Sequence, residues 1–119
     1  MATIQPQRTV TEKQSAVAIL YTWSGLANGD EGAPVPYEFL SDRTVQAFGT
    51  FDTGAVTLQG SMDGENWATL SDPQGNVLTI GTAKLEAVLE VVKWVKPVVG
   101  SGSGTTSISV HLLMVGSVQ

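Results

Sequence analysis

The 119-residue chain contains no cysteine. Disulfide frameworks, thiolate zinc sites and cysteine nucleophiles are therefore excluded, and the fold has to stand on packing alone. Basic charge is also scarce, with 6 Lys and Arg against 11 Asp and Glu for a net charge of -5. The one local basic grouping, Lys84, Lys93 and Lys96, is interrupted by Glu86 and Glu90. A phosphate backbone needs many uncompensated cations, so nucleic acid is not an expected partner. No apolar run approaches the ~20 residues that a membrane-crossing helix requires. The N-terminal stretch "MATIQPQRTVTEKQS" lacks the apolar centre of a signal peptide. The expectation is a protein made in the cytoplasm, without a membrane partner.

What the chain does have is 13 glycines, 5 prolines and many short runs of Val, Ile and Thr, with only 14% charged residues. β-Branched residues separated by turn formers predict short strands, and the length suits one domain with one core. Residues 1–15, polar and interrupted by Pro6, read as an extended N-terminal arm ahead of a domain at 16–119. "AVAILYTW" (16–23) is the first strand, with Val17, Ile19, Tyr21 and Trp23 on one face. A long Gly- and Pro-containing connection, Ser24 to Asp42, follows. "TVQAFGTF" (44–51) and "AVTLQGSM" (55–62), joined by Asp52-Thr53-Gly54, read as a hairpin, and Asp63-Gly64 turns the chain into "NWATL" (66–70).

In "TAKLEAVLEVV" (82–92), Leu85, Val88, Leu89 and Val92 fall at i, i+3, i+4 and i+7, which predicts a short helix near residues 82–90. "VKWVKPVVG" (92–100) resumes as a strand in which Pro97 fits an edge or an end. The last strand alternates Ile108, Val110, Leu112 and Met114 with Ser107, Ser109 and His111. About seven short strands with frequent turns predict an all-β, single-domain β-sandwich of jelly-roll or Greek-key type.

Few residue groups point to chemistry. Trp23, Trp67 and Trp94 each lie in a strand pattern, where at least two are expected to fill the core. Trp67, next to a turn, is the aromatic best placed to stack on a sugar. Asp63 and Glu65 flank Gly64, but calcium takes six or more oxygens and the spacing is not that of a calcium loop. They read as turn residues, with Asp63 tolerating a left-handed backbone. "GSGSG" (100–104) has no helix after it to receive a phosphate and reads as a flexible hairpin loop. His111 is the sole histidine, and a Ser-His-Asp triad would have to be assembled from unconnected pieces. No catalytic residue, metal site or cofactor is expected, and the protein is not expected to be an enzyme.

Taken in order, "NGDEGAPV" (28–35), "SDRTVQAFGTF" (41–51), "VTLQGSMDGENWATLSDPQGN" (56–76) and "VKWVKPVVGSGSGTTSISVHL" (92–112) resemble a family of small tailed-bacteriophage proteins, the jelly-roll capsid decoration or cement proteins. The resemblance implies a structural virion protein on the outer face of an assembled icosahedral capsid, made in the host cytoplasm. Its partners would be the major capsid protein and itself, as a homo-oligomer (dimer or trimer), with Pro97 marking a strand edge for a second copy to cover. Loop length and apolar content put the contacts on Ile4, Arg8 and Val10 of the arm and on Val35, Tyr37 and Phe39 of the long connection. The alternatives are a carbohydrate-binding module, with Trp67 as the ligand aromatic, and a tail or neck component of a virion.

Overall fold

A computed structural model describes residues 2–117 apart from 39 and 41, with position 117 described by its backbone alone. Among the described residues there are strands and no helix. In chain order the strands are β1 (Thr3–Ile4), β2 (Gln7–Lys13), β3 (Ala16–Leu26), β4 (Glu31–Gly32), β5 (Val35–Pro36) and β6 (Asp42–Thr50). They continue as β7 (Ala55–Ser61), β8 (Ala68–Thr69), β9 (Thr79–Ile80), β10 (Lys84–Ala87), β11 (Trp94–Gly100) and β12 (Ser107–Ser117).

Two sheets face each other as a single β-sandwich. The first runs β1-β4-β11-β7-β8, with β5 also on β11 and β9 also on β7; the second runs β10-β6-β12-β3-β2. The long strands alternate as expected for sheets with one face buried. Val17, Ile19, Tyr21 and Trp23 of β3 meet Val45 and Ala47 of β6 and the even-numbered residues 108–114 of β12 on one inner face. Val56 and Leu58 of β7, Val95 and Val99 of β11, and Leu70, Leu78 and Ile80 form the other.

The pairing of strands differs from the sequence expectation at 44–62. The Asp-Thr-Gly turn is tight, with Asp52 and Thr53 both at positive φ (43° and 66°) and Gly54 N–H donating to Phe51 O at 2.7 Å. Yet β6 and β7 belong to opposite sheets, so the turn carries the chain across the sandwich and does not close a hairpin. The link between β11 and β12 crosses at the same end. Thr106, which is buried, donates from Oγ1 to Phe51 O at 3.0 Å, and Thr53 Oγ1 donates to Ser101 O at 3.1 Å. Ser103 and Thr105 hydroxyls both donate to the Asp52 carboxylate, which holds its pKa below the usual carboxylate range. The flexible hairpin loop expected at 100–104 instead joins strands of opposite sheets and is one half of a bonded corner.

The helix expected near 82–90 is a strand and an irregular segment. β10 pairs with β6 from Lys84↔Ala47 to Ala87↔Thr44. Of the residues whose spacing suggested a helix, Val88 is buried while Leu85 and Leu89 are exposed. Tertiary bonds take over the backbone of the next turn: Val88 N–H donates to Arg43 O at 3.1 Å and Leu89 N–H to Ser71 O at 2.8 Å. The buried Arg43 guanidinium donates to Glu90 O and, at 3.4 Å, to Leu89 O. A short segment rich in Val has little intrinsic helicity to set against these.

Two further expectations are revised. Pro97 lies in the interior strand β11, opposite Leu58 of β7. Leu58 donates its N–H away from β11, to Leu78 O, so the Pro97 nitrogen points to the other side of its strand. There β4 pairs at Val98 and β5 pairs at Val95 and Trp94, and the missing N–H falls in the gap between them. The N-terminal residues are also built into the sandwich. β1 pairs in parallel with β4 in the first sheet, and β2 pairs with all of Ala16 to Thr22 in the second, through a tight turn with Gln14 at φ 58°.

The core centres on Trp23, which is fully buried and donates from Nε1 to Ala33 O at 3.1 Å. A Cβ at Gly32 would lie 2.5 Å from the Trp23 ring and 2.7 Å from Pro97 Cδ, so only glycine fits there. Gly32→Ala should lower stability by about 2 kcal/mol, the usual scale of overpacking. Urea unfolding followed by tryptophan fluorescence should show the lowered midpoint.

Candidate functional site

The first sheet turns Trp94 and Lys96 of β11 to its outer side, since the alternating Val95, Pro97 and Val99 are buried. Trp94 therefore lines a surface groove of about 490 Å³ with Pro36, Tyr37, Met62 and the run Val91 to Lys93. The groove is built from three chain segments. Trp94 is registered against Pro36 across β5 and β11, and Tyr37 N–H donates to Lys93 O at 2.9 Å. On the other side of β11, Lys93 N–H donates to Ser61 O at 3.1 Å, which brings in the turn after β7. Met62 and Val91 are 69% and 59% exposed, a high value for large apolar side chains.

The turn beside the groove is held by its own polar atoms. Asp63 accepts the N–H groups of Glu65 at 2.9 Å and Asn66 at 2.8 Å, the Asn66 side-chain amide at 2.7 Å and the Ser61 hydroxyl at 2.9 Å. These donors, the Asn66 N–H first, hold the Asp63 carboxyl well below the usual range. The left-handed residue is Gly64 (φ 80°), so Asp63 is there as an acceptor and its backbone conformation is not the reason. Both carboxylate oxygens are committed to the loop.

Only Trp23 of the three tryptophans is buried; Trp67 and Trp94 are half-buried at the surface, against the expectation that two would fill the core. β8 is only two residues long at the edge of its sheet, so it does not carry Trp67 inwards. Lys96 Nζ instead lies 4.4 Å from the Trp67 ring centroid, a cation on one face of the ring, and 3.4 Å from Glu31.

The residues singled out from the arm and the long connection do not form one patch. Ile4 packs partly against the core, and Val35, expected at the surface, is 2% exposed because β5 faces it inward beside Val95. Arg8 and Val10 are exposed on β2, and Tyr37 lines the groove. Phe39 lies outside the described residues. Glu38, which sequence reasoning passed over, joins two of these regions: it accepts from the Tyr21 hydroxyl and from Arg8 Nε at 3.1 Å. A hydrogen-bonded Arg-carboxylate-Tyr cluster is not visible as a spacing, because its members come from β2, β3 and the connection.

His111 sits on the outer side of the second sheet, with Nδ1 2.8 Å from Thr22 Oγ1 and its ring 5.0 Å from that of Phe48. Its partners are thus a threonine hydroxyl, of unassigned donor or acceptor role, and an aromatic ring.

No protein-family model matches the chain. No curated protein matches it either. Among solved structures, the chain is similar to the crystal structure of protein NMB1881 from Neisseria meningitidis, at 13% identity over 90% of this chain and 80% of that chain, with a TM-score of 0.39.

Because the folded Asp63 carboxyl is more acidic than the unfolded one, its contribution to stability is present above about pH 4 and lost as pH falls through the folded-state value. Asp63→Asn should therefore be less stable than the parent at pH 7, and the gap should close as pH falls towards about 2. Urea midpoints measured across this range test it; a gap independent of pH would contradict the assignment.

Proposed function

We propose that this protein is a structural virion protein that binds the outer surface of an assembled icosahedral phage capsid and stabilises contacts between capsomers. The resemblance of four ordered sequence segments to capsid decoration proteins motivates the reading. The observation that carries it on the molecule is the open apolar groove of Pro36, Tyr37, Met62 and Val91 to Trp94. Exposed Met and Val beside two aromatic rings suit a protein surface, where such side chains gain most by leaving water. The occupant would be a segment of the major capsid protein at a capsomer boundary. A ligand that binds the assembled shell and not the free subunits stabilises the shell by linkage. Local geometry supports this use, since the groove walls are tied together by backbone bonds from Tyr37 and Lys93 and need little ordering on binding.

A second reading, a carbohydrate-binding module, draws on the surface positions of Trp67 and Trp94. One face of Trp67 is already taken by Lys96, so Trp94 becomes the stronger candidate under that reading. A tail or neck component would differ from the leading proposal mainly in copy number.

The deciding measurement is the copy number and location of the protein in purified virions, by quantitative mass spectrometry and cryo-electron microscopy. Hundreds of copies on the outer shell are expected, with the groove against capsid protein. A few copies at one vertex would move the assignment to the tail or neck, and absence from particles would overturn the structural role. Val91→Asp, which adds a charge to an already exposed position, should lower shell affinity by about tenfold or more with little change in folding. Unchanged occupancy of that variant on shells would remove the groove from the contact. Under the carbohydrate reading, Trp94→Ala would instead abolish glycan-induced fluorescence changes.

A further inference from the structure

We propose that β2 is the surface through which two copies of this chain associate, pairing edge to edge and antiparallel about a two-fold axis at Val10. β2 is the terminal strand of the second sheet. The other terminal strands are short, two residues for β1 and β8 and four for β10, which is how sheets commonly limit unwanted pairing. β2 is seven residues long, exposed throughout, contains neither Pro nor Gly, and runs in unbroken register against β3 from Gln7↔Thr22 to Lys13↔Ala16. Its outer edge presents backbone donors and acceptors suited to another strand.

The side chains favour one partner and one register. In the strand "QRTVTEK", an antiparallel copy centred on Val10 sets Arg8 opposite the partner's Glu12, and Glu12 opposite the partner's Arg8. It also sets Thr9 opposite the partner's Thr11 and Val10 opposite itself. Sliding the register by two residues in either direction breaks both Arg-Glu pairs. Sliding it by four in one direction sets Arg8 against Arg8, and in the other Glu12 against Glu12. Opposite charges across neighbouring strands stabilise a sheet and like charges oppose it, so the charge pattern selects the register centred on Val10. This is the self-complementarity that a two-fold interface requires.

The groups concerned are available. Arg8, Val10 and Glu12 lie opposite Tyr21, Ile19 and Val17, on the inward face of the sheet, yet Val10 is 42% exposed and so is not covered by the facing sheet. Arg8 uses Nε for Tyr21 and Glu38, and its terminal nitrogens make no hydrogen bond among the described residues. Glu12 has no ion pair among the described residues. A two-fold axis normal to the sheet keeps both inward faces on one side, so the second sheets of two copies would continue as one. The pairing rests on strand geometry and charge alone, and does not depend on the capsid reading.

The test is sedimentation velocity of the intact 12.5 kDa chain at protein concentrations up to about 1 mM. The parent should dimerise with rising concentration. Glu12→Arg sets four like charges along the joint and should weaken the dimer by about tenfold or more. Arg8→Glu should do the same, and mixing the two variants should restore a dimer, because every charged pair across a mixed joint is then Arg with Glu. Should Arg8→Glu fail to fold, as judged by circular dichroism, Val10→Lys replaces it by placing two ammonium groups at the axis. A parent that stays monomeric throughout, or an oligomer undiminished by Glu12→Arg and Val10→Lys, would falsify the proposal, as would two folded charge variants that do not pair when mixed.

Discussion

The burial of one indole governs how the two sheets meet. Trp23 projects from β3 of the second sheet and reaches the β4 region of the first, where its Nε1-H finds Ala33 O. A buried indole without an acceptor would carry a desolvated N–H, so the hydrogen bond fixes how far the ring enters. The ring in turn leaves no space for a side chain at Gly32, and Pro97 closes the same site from β11. The consecutive strands β3 and β4 thus share one contact with β11, which lies far along the chain. The short strands of the long connection owe their place to it as much as to their own few backbone bonds.

At one end of the sandwich the β6–β7 and β11–β12 crossings between sheets are joined by hydroxyl groups and a carboxylate. Asp52, Ser103, Thr105 and Thr106 achieve there what a disulfide does in many small β-proteins, with polar atoms that are satisfied locally. The apolar groove lies elsewhere, where the chain leaves β5 and β7 and enters β11. Its side chains come from a turn, a strand start and the irregular run before β11, all positions where the sheets no longer cover both faces.

The alternating strands were legible in the sequence because burial on one face of a sheet imposes a period of two, and β3, β7, β11 and β12 all follow it. Turn chemistry was legible at Asp52-Thr53 and at Asp63-Gly64, but a turn does not state which sheet its second strand joins. The choice between hairpin and crossing depends on partners distant in sequence, here β11 and β12. Residues 82–92 misled because a helical spacing of apolar residues can arise in a segment whose backbone is claimed by Arg43 and Ser71. The groove was half legible: Tyr37 stood out as an apolar residue in a long connection, whereas Met62 merely ended the expected strand 55–62 and Val91 fell just past the expected helix. Glu38 had no sequence signal, since its role needs Arg8 and Tyr21 beside it.

The position of β12 between β3 and β6 bears on how the chain is made. β3 and β6 pair with β12 and not with each other, from Ala16↔Ser117 and Asp42↔Val115 at one end to Leu26↔Ile108 and Thr50↔Ser107 at the other. During synthesis, β3 and β6 leave the ribosome before the strand that joins them exists. The second sheet therefore cannot close co-translationally over its inner strands until residues 107–117 have emerged, and until then both strands carry open edges and exposed Val and Ile. Closure of the second sheet is dominated by contacts between distant parts of the chain.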